Sequence, residues 1–162
     1  MRLKPNTLIV VAGPTASGKT ALAIQIAKAV DGEIVSADSM QIYRGVDIAT
    51  AKPTPEELAA VPHHLIGFLP MDRAFSVADY AELARKEIND ILSRGKVPVL
   101  CGGTGLYIKA IVDNVQYSEA ITGDEALRER LRQLAEREGN DALWRRLEAM
   151  DPETAKRIHP NN

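Results

Sequence analysis

The feature that most constrains the fold is an eight-residue pattern near the amino terminus, G-x-x-x-x-G-K-[ST], which residues 13–20 match in full. An apolar run over residues 8–12 precedes it, and residues 18–30 follow with apolar side chains at helical spacing. In this strand–loop–helix setting the glycines permit a tight turn, and successive N–H groups at the helix start face an anion. The pattern therefore predicts a loop that binds a diphosphate or a triphosphate, without specifying the reaction.

Each part of the predicted phosphate-binding loop has an expected role. Gly13 and Gly18 allow the turn, Lys19 supplies a mobile positive charge, and Thr20 offers a hydroxyl as a ligand for Mg²⁺. The predicted diphosphate- or nucleotide-binding residues are Gly13, Pro14, Thr15, Ala16, Ser17, Gly18, Lys19 and Thr20. A nucleotide such as ATP is the ordinary ligand of such a loop, and Mg²⁺ is the expected cofactor.

Strand and helix patterns alternate as far as residue 113, which predicts an α/β fold. The further apolar strand runs are residues 33–37, 64–69 and 97–101. Ser76 and Asp79 have the spacing of a capping box and predict the start of a long helix that ends near Gly95. Together these elements predict a parallel sheet flanked by helices, as in P-loop NTPases, with ligands at the carboxyl edge of the strands.

Beyond residue 113 no strand pattern remains and charged helical patterns begin near residues 124, 141 and 152. Two apolar stripes predict that these helices pack together. The first stripe consists of Leu127, Leu131 and Leu134, and the second of Leu143, Trp144, Leu147 and Met150. We therefore predict a P-loop core domain over residues 1–113 and a small all-helical appendage over residues 114–162.

Composition limits the function classes. The 162 residues carry 20 basic and 22 acidic side chains, a net charge of -2, so any RNA binding must be local. Cys101 is the single cysteine, which excludes an internal disulfide and favours the cytoplasm. The apolar run at residues 8–12 is too short to span a bilayer, so no membrane association is expected.

Residues outside the loop give weaker signals when taken singly. Asp38 follows the second strand run, where a carboxylate suits a metal shell, a general base or a turn. The fourth strand run ends in Cys101 rather than in the Asp of many P-loop NTPases, which weakens an ATPase interpretation. His63 and His64 lack spaced Cys or His partners, so a structural role is predicted for them rather than a metal site.

Five further segments resemble, in order, signatures of the tRNA dimethylallyltransferase family, also called isopentenyl-diphosphate:tRNA transferases. They are residues 36–43 (SADSMQIY), 47–53 (DIATAKP), 62–64 (PHH), 102–107 (GGTGLY) and 158–161 (IHPN). One departure is Ala49, where the family more usually has Gly. Because helical and RNA-binding segments follow the His-Pro-Asn signature in this family, the resemblance implies that these 162 residues are an amino-terminal portion. Residues 114–162 would then begin a tRNA-binding insertion.

The resemblance implies transfer of a dimethylallyl group from dimethylallyl diphosphate to N6 of an adenosine adjacent to the tRNA anticodon. The phosphate loop would hold the diphosphate, and Asp38 and Thr104 would be the catalytic residues. The tRNA contacts that it implies are Asp38, Ser39, Met40, Gln41, Thr104 and Arg128. The amide of Gln41 has the geometry to read an adenine edge. The implied partners are the tRNA anticodon stem-loop and dimethylallyl diphosphate, with a monomer expected for the full-length protein.

Three alternatives remain open from the sequence. A small-molecule kinase or NTPase would use the same loop to transfer a phosphoryl group. An adenylate isopentenyltransferase would act on free nucleotide rather than on tRNA. The third is an inactive truncated fragment that binds diphosphate or RNA without completing the reaction.

Overall fold

Parallel strands form one sheet in the part of the chain that the structure describes, residues 4–48, 50–115 and 125–161 of a computed structural model. The strands are β1 (Ile9–Ala12), β2 (Gly32–Ser36), β3 (His63–His64) and β4 (Val97–Gly102). Their spatial order is β1-β4-β2-β3, and every pairing is parallel. The predicted α/β class is therefore confirmed, and the carboxyl ends of the strands share one edge of the sheet.

Helices cover both faces of this sheet. α1 (Lys19–Val30) packs on one face, and α3 (Val77–Ser93) and α4 (Gly105–Val112) pack on the other. Adjacent strand residues divide between the two cores: Ile34 and Val99 pack with α1, whereas Val35 and Leu100 pack with α3 and α4. Successive side chains of a strand point to opposite faces, so a strand covered on both faces needs an uninterrupted apolar run.

Capping boxes begin two of the helices. At α3 the box was predicted and is confirmed, because Ser76 Oγ accepts from the Asp79 N–H at 3.2 Å and Asp79 Oδ2 accepts from the Ser76 N–H at 2.8 Å. At α2 (Pro55–Ala60) Thr54 and Glu57 form the same reciprocal pair, which we did not predict. α2 has 6 residues and no fully buried side chain, so it lacks the apolar periodicity that reveals longer helices.

The predicted third strand over residues 64–69 is wrong in extent, because β3 ends at its second residue. Leu65 and Gly67 follow with φ angles of 60° and 59°, in the left-handed region. That conformation interrupts an extended chain, so the apolar run continues as a turn. An isolated parallel bridge between Tyr43 and Leu69 is the one strand-like pairing found farther along this described segment.

The carboxyl-terminal residues form a compact unit, Ser118–Asn162, separate from the unit Met1–Tyr117. It contains α5 (Glu125–Glu138), α6 (Asn140–Met150) and α7 (Pro152–Ala155), and α6 packs against both of the other helices. Trp144 Nε1 donates to the carbonyl oxygens of Ala155 at 3.2 Å and Ile158 at 2.8 Å. Met150, which we expected in the apolar stripe, is 78% exposed, so its assignment to the packed face is wrong.

The end of β4 approaches the end of β2 so closely that Gly102 has no room for a side chain. A Cβ at this position would overlap the Ala37 carbonyl and lie 2.7 Å from the Ala37 Cα. Because the obstacle is backbone, we expect Gly102→Ala to lower the free energy of unfolding by about 1–3 kcal/mol. Gly105→Ala is the control, since no atom lies within 4 Å of the Cβ built there. Urea unfolding of both variants tests this, and equal midpoints would contradict it.

A buried carboxylate lies near the amino end of β2, away from the ligand edge. Glu33 is 3% exposed and accepts hydrogen bonds from Arg94 Nη1 at 2.5 Å and Nη2 at 2.8 Å. His64 lies between two carboxylates, with Nε2 2.8 Å from Glu33 Oε2 and Nδ1 2.8 Å from Glu87 Oε2. The Arg94 hydrogen bonds lower the pKa of Glu33 from 4.5 to about 2. His64 thus has a structural role.

These ion pairs predict an acid-dependent loss of stability. The folded-state pKa of Glu33 lies below its unfolded value, so the stabilisation is complete above about pH 4.5 and is lost as the pH falls through about 2. We expect Glu33→Gln to cost about 3 kcal/mol at neutral pH, and this deficit to shrink toward about pH 3. Urea midpoints across this range, with exposed Glu82→Gln as control, provide the measurement. A deficit that stays constant with pH would contradict the expectation.

Candidate active site

The predicted phosphate loop is a tight turn between β1 and α1. Its backbone enters the left-handed region at Ala16, with φ of 62°, and at Gly18, with φ of 80°. α1 begins directly after Gly18, and no side chain caps its first N–H groups. Those donors can therefore face a bound anion, which the positive end of the helix dipole also favours.

The Lys19 side chain folds back over this loop. Its Nζ donates to the carbonyl oxygen of Pro14, which also accepts a hydrogen bond from Ser17 Oγ at 2.8 Å. An ammonium group has three protons, so two remain for other acceptors. The arrangement holds a positive charge beside the N–H groups of the turn.

A cleft of about 290 Å³ joins the phosphate loop to the carboxyl edge of the sheet. Residues 15–21 line this cleft, and so does Asp38, which follows β2. The remaining lining residues are Gln41, Thr50, Ala51, Glu57, Cys101 and Gly102. Thr50, Ala51 and Glu57 were not expected here; the Thr54–Glu57 capping box is the sequence signal that could have placed them beside a short helix.

The Asp38 side chain is half-buried and is held by the turn that follows it. Its Oδ1 accepts from the backbone N–H groups of Met40 at 2.9 Å and Gln41 at 3.3 Å. Among the described residues no group hydrogen-bonds the second oxygen, Oδ2. One carboxylate oxygen therefore fixes the orientation of the side chain, and the other can accept a proton.

Thr104 ties the Gly-rich turn after β4 to the turn that carries Asp38. Its Oγ1 accepts from the Ser39 N–H at 2.9 Å and lies 3.2 Å from Ser39 Oγ, to which it donates. Its own N–H donates to the Ala37 carbonyl at 3.0 Å. The side chain is thus committed to holding residues 37–39 in place, which makes Thr104 a positioning residue for Asp38 in this geometry.

The Gln41 amide closes the loop that leads to α2. Its Nε2 donates to the carbonyl oxygens of Thr50 at 3.2 Å and Ala51 at 3.1 Å, and its Oε1 lies 3.5 Å from Ser36 Oγ. Both amide protons are therefore used within the protein. In this conformation Gln41 shapes the cleft wall and does not offer the free amide that bidentate adenine reading requires.

A family model described as IPP transferase matches residues 41–162, well over half of the chain. The chain belongs to the IPP transferase family. Among curated relatives, the tRNA dimethylallyltransferase of Exiguobacterium sp. is 54% identical over 160 residues, covering 99% of this chain and 51% of the relative. That of Bacillus subtilis is 50% identical over 155 residues, covering 96% and 49%. The chain thus spans about half the length of the curated relatives that it matches.

Solved structures of IPP transferase relatives share this fold. The full-length tRNA isopentenylpyrophosphate transferase of Bacillus halodurans is 45% identical with a TM-score of 0.68, covering 97% of this chain and 52% of that one. A eukaryotic dimethylallyltransferase acting on tRNA is 30% identical with a TM-score of 0.82, covering 96% and 38%. The predicted resemblance is confirmed, and the P-loop NTPase-like sheet is the amino-terminal portion of the longer relatives.

In this IPP transferase family member, Cys101 occupies the end of β4 beside the phosphate loop. Its Sγ lies 3.8 Å from the Lys19 carbonyl oxygen, and burial raises the pKa of the thiol. A neutral thiol there cannot replace the metal-binding Asp of many P-loop NTPases. Family membership and this residue both argue against a kinase.

Further features bear on the RNA and metal ligands of this IPP transferase family member. Arg128 is exposed on α5 in the second unit, and its contact with tRNA stays a prediction. No group of three or more His, Cys, Asp or Glu that could hold a metal occurs among the described residues. The Thr20 hydroxyl and the Asp38 carboxylate are hard oxygen donors on one cleft, so they fit Mg²⁺ that arrives with phosphate oxygens.

No helix in the described ranges is long and apolar enough to cross a membrane.

Proposed function

We propose that the protein containing this chain transfers a dimethylallyl group from dimethylallyl diphosphate to N6 of an adenosine adjacent to a tRNA anticodon. The observation that carries the proposal is that Asp38 and residues 15–20 line one cleft of about 290 Å³. A phosphate-binding loop and a carboxylate that line the same cleft suit a reaction in which a diphosphate leaves and a proton is removed. The names of the relatives agree with this chemistry.

In the proposed reaction residues 13–20 bind the diphosphate leaving group. The C–O bond between the dimethylallyl carbon and the diphosphate breaks, and negative charge grows on the departing oxygen. Backbone N–H groups and Lys19 Nζ stabilise that charge more strongly as it develops, which lowers the barrier. Mg²⁺ held by Thr20 and the phosphates would supply further charge neutralisation.

Asp38 accepts the proton that the attacking nitrogen must lose. N6 of adenine forms a new bond to the dimethylallyl carbon, and one N6 proton passes to the free Oδ2 of Asp38. The Met40 and Gln41 N–H groups hold the other oxygen, so the carboxylate keeps its orientation through the step. Thr104 Oγ1 holds the same turn by accepting a hydrogen bond from the Ser39 N–H.

An adenosine stacked in a tRNA anticodon loop must leave the stack to enter this cleft. Ser39, Gln41 and the 52% exposed Met40 lie on the turn beside Asp38, where they can contact the extruded nucleotide. Arg128 would contact the RNA backbone. The proposal also includes action in the cytoplasm, no membrane association and a monomer for the full-length protein.

The test is transfer of labelled dimethylallyl from its diphosphate to an unmodified anticodon stem-loop RNA in the presence of Mg²⁺. A full-length relative serves as the positive control. Product would show that the 162 residues suffice. Diphosphate binding without product would identify a binding fragment.

Parallel reactions distinguish the tRNA transferase from two enzyme classes that would use the same loop. Transfer to AMP instead of RNA would identify an adenylate isopentenyltransferase, and ATP turnover would identify a kinase or NTPase. Either result, without transfer to RNA, would overturn the proposed function.

A further inference from the structure

A second and much smaller cavity lies next to the cleft. Its volume is about 20 Å³, which exceeds the space that one water molecule needs. The polar residues in its wall include Thr20, Ser36, Gln41 and His63. Thr20 also lines the larger cleft, so this residue borders both spaces.

His63 brings an unpaired acceptor to this small cavity. Its Nδ1 lies 2.8 Å from the Val61 carbonyl oxygen, which can only accept, so Nδ1 carries a proton. In the neutral ring Nε2 then presents a lone pair. That atom is buried, and no protein group of the described residues hydrogen-bonds it. Burial also lowers the pKa of His63, which favours the neutral ring.

We propose that the small cavity binds one water molecule, which accepts a hydrogen bond from the Thr20 hydroxyl and donates one to His63 Nε2. Ser36 Oγ and Gln41 Oε1 offer lone pairs for the second proton of the water. Two to four polar partners of this kind are typical of buried water. His63 is thereby a positioning residue for Thr20.

Two sets of partners fix the hydrogen-bond directions in this relay, which runs from His63 through the water to Thr20. The Val61 carbonyl fixes the His63 proton on Nδ1, so Nε2 accepts one proton of the water. Because the second proton of the water is donated to Ser36 Oγ or Gln41 Oε1, the water can only accept from Thr20. The Thr20 proton consequently points into the small cavity, and the lone pairs of its oxygen remain for the cleft. A hydroxyl that binds Mg²⁺ must present a lone pair, so this step rests on the proposed function of Thr20 as a ligand of magnesium diphosphate.

Nuclear magnetic resonance of the ¹⁵N-labelled protein tests, without any ligand, the His63 tautomer that the water site requires. The expected result is a neutral His63 with the proton on Nδ1. A high-resolution crystal structure should show one ordered water within hydrogen-bond distance of His63 Nε2 and Thr20 Oγ1. A proton on Nε2, or a dry cavity, would overturn the proposal.

Binding of inorganic diphosphate, measured by calorimetry with and without Mg²⁺, tests the positioning role. His63→Leu removes the acceptor and should weaken magnesium diphosphate binding by about 10- to 100-fold, the usual effect of losing a partner that orients a metal ligand. The affinity of His63→Leu for metal-free diphosphate should equal that of the native protein. His63→Gln, whose Oε1 is again an acceptor, should recover most of the lost affinity for magnesium diphosphate. Unchanged magnesium dependence in folded His63→Leu would overturn the role.

A double-mutant cycle of His63→Leu and Thr20→Val measures the energetic coupling between these two residues in magnesium diphosphate binding. If the relay acts through the Thr20 hydroxyl, His63→Leu should cause no further loss in the Thr20→Val background. Additive losses would contradict the relay. Failure of the native protein to bind diphosphate would instead overturn the proposed function and the role in metal binding, whereas the crystal structure separately decides the water site.

Discussion

Asp38→Asn is expected to lower the rate of dimethylallyl transfer by about 10²- to 10⁴-fold, the contribution typical of a positioned general base. Asparagine keeps an oxygen that can accept from the Met40 and Gln41 N–H groups, so the turn should persist. What it lacks is the second carboxylate oxygen and the charge that takes the N6 proton. The measurement is single-turnover transfer to stem-loop RNA, made with the native chain and the variant under identical conditions.

Two controls separate loss of the base from loss of structure. The thermal midpoint of Asp38→Asn and its affinity for metal-free diphosphate should match those of the native protein, because Asp38 lies outside the phosphate loop of residues 13–20. Met40→Leu changes an exposed side chain on the same turn and should retain the fold. A variant Asp38→Asn with undiminished transfer would remove Asp38 from the reaction. In that case another group must accept the proton.

Lys19→Ala is expected to weaken diphosphate binding by about 10²- to 10³-fold, similar to the loss of one donor in a preorganised anion site. The ammonium lies beside the turn, held by the Pro14 carbonyl, with two further protons for phosphate oxygens. Its removal leaves the backbone N–H groups but takes away the mobile charge. Calorimetry with inorganic diphosphate at constant ionic strength measures the change.

Lys28→Ala is the matched control, because Lys28 is an exposed lysine in the last turn of the same helix. Both variants lose one positive charge, so a general electrostatic effect would weaken diphosphate binding equally in the two. We expect Lys28→Ala to bind diphosphate like the native protein. Equal losses in the two variants would mean that charge near α1, rather than contact in the loop, governs affinity.

Local signals in the sequence predicted most of the fold. The glycine and lysine spacing of residues 13–20 and the Ser76–Asp79 box each act over a few residues, and both produced the expected elements. The extent of β3 was wrong because an apolar run does not reveal that Leu65 adopts a left-handed φ. We did not predict α2 because this short helix has no fully buried side chain and therefore no apolar periodicity, although its capping box could have been recognised in the sequence.

Outside the phosphate loop, the candidate site was predictable from the residues only where a position follows from strand order. Asp38 could be placed at the ligand edge because it follows a buried strand. The partners of Gln41 and His63 could not be predicted, since they depend on how residues 50–51 and 61–63 return to the sheet. Those contacts arise from tertiary packing and leave no periodic signal in the sequence.

The parallel pairing of β1 with β4 also sets the order in which the protein can fold. Ile9 lies opposite Val99, so the two strands meet only after a loop of about 90 residues has closed. Contacts of such long sequence separation form slowly. A chain that ended before β4 would contain the whole G-x-x-x-x-G-K-T motif but would lack the strand that pairs with β1. Acquisition of diphosphate affinity during refolding should therefore report the closure of this long loop, and not the formation of the motif itself.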